Sequence, residues 1–235
     1  WEAGDRTMER PLARRIAAEG FITVPVSYRL GPAGRFPHAL HDLKAAVRWL
    51  RAHAGEYAID PKAIGAVGGS AGGHLVALLG ATNATARFEG AGPHPDESSD
   101  VQAVVDFDGL ADFTGPELLD QQRQKPGAPA RFLGGSFEEK PEVWRDASPL
   151  THVGLRSAPT LFINSTAPTP ILPGREEMSR RLTMMGIESE VLTMDDSPHV
   201  FWLVEPWFEP AVQEAVRFLQ KHLVGGEPVP GAEQR

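Results

Sequence analysis

The sequence predicts an α/β fold, a mostly parallel sheet with helices on both faces. Three observations carry this expectation. Short apolar runs rich in β-branched residues alternate with segments of helical periodicity along nearly the whole chain. The 235 residues are 41% hydrophobic and 23% charged, enough for one large core and too apolar for disorder. There is no internal repeat, and the 24 Gly and 21 Pro follow no three-residue period, which excludes solenoid and collagen-like chains.

Each element follows from its local pattern. Phe21-Ile-Thr-Val-Pro-Val-Ser-Tyr28 reads as a strand, being β-branched and aromatic. From Leu40 to His53, Leu43, Ala46, Val47 and Leu50 fall on one face of a helix. Asp60-Pro61 makes a turn before a short strand through Ala63–Val67, and Ala71–Leu79 is apolar enough for a buried helix. Val101–Phe107 and Thr160–Asn164 read as further strands. A helix over about Arg175–Met185 turns Met178, Leu182 and Met185 to one side and stops at Gly186. Glu188–Met194 alternates into a strand. Pro210 then opens a last helix with Val212, Ala215, Val216, Leu219 and Leu223 inward. One domain over residues 1–224 results. Asn83–Asp100 interrupts it as a polar loop, and about 114–150 as a longer, cap-like insertion. Residues 225–235 read as a disordered tail.

Composition removes several functions. The net charge of −8, from 23 basic and 31 acidic side chains without a basic run, argues against a nucleic-acid partner. No apolar stretch approaches the roughly 20 residues that span a bilayer, which argues against a membrane protein. With no cysteine there is no disulfide, thiol nucleophile or zinc–thiolate site, and the compartment stays open. The chain opens at Trp1 with neither an initiator Met nor a charged-then-apolar leader, so the natural protein is expected to extend upstream.

The strongest chemical signal is Gly68-Gly69-Ser70-Ala71-Gly72, which matches G-x-S-x-G between a short strand and an apolar helix. A serine on so sharp a turn is strained, with its hydroxyl exposed. The close approach of the chain before and after it accounts for Gly68 and Gly72. The next helix aims its first N–H groups at a developing oxyanion, and Ala71 N–H is the natural first donor. A phosphate-binding loop would need a Gly-Lys-Ser/Thr ending that is absent.

Val67-Gly-Gly-Ser-Ala-Gly-Gly-His-Leu75 resembles the nucleophile elbow of α/β-hydrolase fold serine esterases, in the branch acting on acetylated or feruloylated plant carbohydrates. Arg35–Leu50 resembles the helix that precedes it. Phe132-Leu-Gly-Gly135 followed by Ala147-Ser-Pro-Leu150 resembles the family's return from cap to strand. The resemblance covers nearly the whole chain up to the last helix. It implies a secreted or periplasmic setting, a small-molecule or carbohydrate ester as substrate, and neither cofactor nor metal.

A serine nucleophile needs a base. Of the eight histidines, His199 follows the last strand in Asp195-Asp-Ser-Pro-His199, where this fold delivers its base. His38, His41 and His53 read as surface residues around the early helix, and His74, His94, His152 and His222 as structural or loop residues. The acid departs from the family pattern: related esterases carry it in H-G-x-x-D-x-x-V-P after the next-to-last strand. Here that stretch is Asn164-Ser-Thr-Ala-Pro-Thr-Pro-Ile-Leu-Pro173, with Pro168 in the place of the Asp. Three replacements stand open: Asp108 at the end of the strand after the nucleophile, Asp196 three residues before His199, and Glu176 beyond Pro173. Asp108 is preferred, because its strand lies next door in the expected sheet and some lipases of this fold place the acid there. Asp106, one pleat deeper, is expected to hydrogen-bond a neighbouring loop.

The family's H-G-G-G segment, which completes the oxyanion hole, usually precedes a Trp, and the opening Trp1-Glu-Ala-Gly-Asp-Arg6 resembles the stretch immediately after it. Two opening strands and a central strand are then expected upstream. The central one would sit between the strands at Phe21 and Ala63, leaving a gap in the sheet without it. Phe201, Trp202, Trp207 and Phe208 read first as core beneath the last helix, and second as a stacking face for a sugar. A serine peptidase of the same fold is a second reading. A non-catalytic binding protein that kept the fold is a third, supported by Pro168 and the absent oxyanion segment. Against it, Ser70 and His199 both stand in full context.

Overall fold

In the computed structural model, residues 1–166 and 172–225 are described. Four strands form one parallel sheet in the order β1 (Gly65–Gly69), β2 (Ala103–Phe107), β3 (Thr160–Ser165), β4 (Ser189–Met194). Sequential order along a parallel sheet requires crossovers, and these carry the helices.

One face of the sheet is apolar through Val105 and Phe107 of β2 and Leu161 and Ile163 of β3. It packs on α1 (Arg10–Ala17) and on α8 (Phe208–Leu219). The alternate residues turn to the other face. There Val104 packs with α2 (His38–Ala52) and α3 (Ala71–Ala81), and Phe162 with α7 (Arg175–Met184). Both faces are therefore covered, as a parallel sheet demands. Between β2 and β3 the chain makes α4 (Pro116–Gln124), α5 (Ala128–Leu133) and α6 (Pro141–Asp146), which share a core of Phe113, Phe132 and Trp144. The polar loop over 83–100 is tied down by a buried Lys44, whose Nζ donates to Thr82 O, Glu89 Oε1 and Ser99 Oγ.

Most predicted elements lie where expected, within a few residues. The exception is Phe21–Tyr28. It is extended but joins no ladder, and β1 is an outer edge of the sheet among the described residues. The reason is the lack of a partner at hydrogen-bonding distance, since a cavity of about 520 Å³ separates the two, lined by Leu12, Ile16, Phe21, Ile64, Val67 and Leu219 among others. The last helix begins two residues before Pro210. Residues 226–235, most of the expected tail, and Pro168 lie outside the described residues.

Candidate active site

The carboxyl ends of three strands converge on one place. Ser70 follows β1 directly and caps α3, with φ 54° and ψ −116°. Such a conformation costs a non-glycine residue about 1–3 kcal/mol. It is held by Ser70 N–H donating to Phe107 O at 2.7 Å and by His74 N–H donating to Ser70 O at 3.0 Å. A side chain at Gly68 would meet Gly72 O at 2.5 Å, so the turn closes only with glycine there. Gly72, in contrast, faces open space. The second tight glycine is Gly73, against which Asp106 and the chain at Phe107 and Gly109 press.

His199 comes from the loop after β4. Its Nε2 lies 2.9 Å from Ser70 Oγ, and its Nδ1 lies 2.9 Å from Asp108 Oδ2. Both contacts are satisfied by one tautomer, in which Nδ1–H donates to the carboxylate and Nε2 accepts from the serine hydroxyl. The His199 side chain is about one-third exposed and Asp108 is buried. Asp108 adopts φ 51° just past β2. Its N–H donates to Ile163 O at 3.0 Å and its Oδ1 accepts Ser165 N–H at 2.8 Å, so β3 fixes both its backbone and its carboxylate. Asp196 is exposed in the turn after β4, and Glu176 is exposed on α7. Ala71 is the first residue of α3, where an N–H has no intrahelical acceptor.

These three side chains on this elbow coincide with a match to the BD-FAE family model over residues 1–176, three-quarters of the chain. The chain belongs to the BD-FAE family. Ser70 and Asp108 fall inside the matched span and His199 beyond it. Esterase LipC of Mycobacterium tuberculosis is 28% identical over 208 residues, covering 87% of this chain and 51% of LipC. The chain spans about half or less of the length of the curated relatives it matches. Among solved structures, butyrate-bound esterase Est2 of Thermogutta terrifontis superposes with a TM-score of 0.79. It is 23% identical, over 99% of this chain and 82% of that one. A truncated carbohydrate esterase from gut microbiota gives 0.71 at 22% identity, over 85% and 73% of the two chains. The fold is that of the α/β-hydrolases.

In this BD-FAE chain the floor of the site is aromatic and buried. His74, one turn past Ser70, is fully buried. Its Nδ1 accepts from Trp1 Nε1 at 3.1 Å and its Nε2–H donates to Ala147 O at 2.8 Å. Burial drives its pKa from the usual 6.5 down to about 3, so the ring is neutral and structural. Phe201 and Trp202 are also buried. Trp202 stands edge-on to the His199 ring and stacks on Phe107, which is a core role. Among the described residues, no group of three or more His, Asp or Glu is placed to hold a metal ion, and no helix is long and apolar enough to cross a membrane.

Sequence reasoning missed Arg175. Its side chain is buried and reaches under the end of β2, where Nη1 lies 3.0 Å from Asp106 Oδ1. Burial pushes the Asp106 carboxyl upward, and the Arg175 charge opposes it. A signal was present: an arginine at the first position of a helix opposes the helix dipole, and so needs a tertiary reason.

Proposed function

We propose that this protein is a carboxylic ester hydrolase that deacylates an acetylated or feruloylated plant-type carbohydrate through an acyl-enzyme on Ser70. The observation that carries the reading is the continuous pair of 2.9 Å contacts from Asp108 through His199 to Ser70. Ser70 Oγ attacks the acyl carbon while its proton passes to His199 Nε2. Asp108 stabilises the imidazolium, and Ala71 N–H donates to the oxyanion. The ester C–O bond then breaks, and His199 returns the proton to the departing sugar oxygen. Water, deprotonated by His199, attacks the acyl-enzyme and releases the acid, restoring Ser70. The esterase names of the relatives support the reaction class. The sugar substrate draws on the resemblance of the elbow and on the gut-microbiota carbohydrate esterase that shares the fold.

Fluorophosphonate labelling of Ser70 and hydrolysis of p-nitrophenyl acetate test the reaction class, with Ser70→Ala as control. Labelling and turnover that both vanish in Ser70→Ala are expected. A folded chain that labels nowhere would overturn the enzyme reading in favour of a binding protein. For the substrate, kcat/KM on an acetylated or feruloylated xylo-oligosaccharide is expected to exceed that on p-nitrophenyl butyrate. The reverse order removes the carbohydrate assignment.

A further inference from the structure

We infer that Arg175 is a positioning residue for the proposed acid: its buried guanidinium clamps the chain on both sides of Asp108 and so aims that carboxylate at His199. This inference rests on the reading of Asp108 as the acid partner of His199.

Asp108 sits in the left-handed region, which L-residues avoid, so something must hold it there. Arg175 makes four hydrogen bonds around it. Nη1 donates to Asp106 Oδ1 at 3.0 Å and to Gly109 O at 2.6 Å. Nη2 donates to Asp106 O at 3.0 Å and to Ile163 O at 3.0 Å. Residues 106 and 109 bracket Asp108 in the chain. Ile163 O is the same atom that accepts the Asp108 N–H. Asp106 Oδ1 also accepts Gly109 N–H at 2.7 Å, which closes the loop from below. The guanidinium thus ties the ends of β2 and β3 together at the point where Asp108 leaves one strand and Ser165 N–H on the other holds its Oδ1.

A rigid planar fork suits this task. Its donors diverge in fixed directions, and the Phe162 ring lies 5.0 Å from the guanidinium carbon. The charge also suits it. Asp106 and Asp108 are both buried and two residues apart, with Arg175 the cation paired to the first. A lysine at 175 would keep the charge and lose the fork.

The test is a double-mutant cycle of Arg175→Lys with Asp108→Asn in the full chain, read as kcat, KM and the rate of Ser70 phosphonylation by a fluorophosphonate. Arg175→Lys alone is expected to lower kcat and the labelling rate about 100-fold, the effect of a misplacement near 1 Å, with KM nearly unchanged. In the Asp108→Asn background the same change is expected to cost about threefold or less, because the group that it positions is already disabled. An equal loss in both backgrounds, or no loss in either, would overturn the positioning role. Wild-type rates in Asp108→Asn alone would instead remove the acid assignment, a separate failure. Should Arg175→Lys not fold by thermal melting, Asp106→Asn serves in the same cycle. It removes the charge behind one of the four bonds while leaving an amide oxygen to accept, and is expected to give a smaller loss with the same dependence on Asp108.

Discussion

Thr160–Ser165 and Phe21–Tyr28 look alike as sequence, two short runs of apolar, β-branched and aromatic residues, yet they behave differently in the fold. The first is β3, paired in parallel on both sides and buried along most of its length. The second runs extended beside a cavity, with Ile22 55% and Val24 48% exposed. It is held by side-chain contacts such as Thr23 Oγ1 donating to Ala13 O. Strand propensity is thus a fit to a pleated, partnered surface more than a property of the run itself. The proposed chemistry follows the pairing. Ser70, Asp108 and His199 leave the carboxyl ends of β1, β2 and β4, and β3 supplies the bonds that fix Asp108. None of the three comes from the unpaired segment.

Asp108→Asn should sharpen this contrast most, with an expected loss in kcat of about 10⁴-fold through loss of the correct histidine tautomer. Asp196→Asn should leave the rate nearly unchanged, and p-nitrophenyl acetate kinetics check both. A large effect at Asp196 would break the link between the paired sheet and the site. Next in size is Phe162→Ala, in the middle of β3, which should destabilise the fold by about 3–5 kcal/mol in urea unfolding. Ile22→Ala should stay within about 0.5 kcal/mol. Equal costs would mean that the two runs bear equal weight.

His74 gives a pH test of the buried floor. Its folded pKa lies below the unfolded one, so its contribution is complete above pH 6.5. That contribution is lost as pH falls toward about 3, because the unfolded chain takes up a proton that the folded ring refuses. The slope is at most about 1.4 kcal/mol per pH unit. Urea midpoints between pH 7 and 5 should therefore fall less steeply in His74→Gln than in the parent, although the variant starts lower. The smallest effect is dynamic: the amides of Ile22, Thr23, Val24 and Val26 should exchange with deuterium by local opening, and those at 161–163 only on global unfolding. Protection of both segments alike would show that Phe21–Tyr28 is as well anchored as β3.

The sequence by itself determined the α/β class, the elbow at Ser70, the place of His199 and the order of the helices, because these are local: a period of 3.6, a turn that needs Gly68, a loop after a strand. It narrowed the proposed acid to three residues and went no further. What separates Asp108 from Asp196 and Glu176 is the registration of β2 beside β3, which brings Ser165 N–H and Ile163 O to Asp108 and leaves the other two in solvent. The clamp of Arg175 on Asp106 spans 69 positions in the chain, and no window of local pattern contains both. Phe21–Tyr28 shows the same division from the other side. Its residues carry the propensity for a strand, and only tertiary structure decides whether a neighbour stands close enough to complete one, because a ladder's hydrogen bonds belong to two segments and never to one.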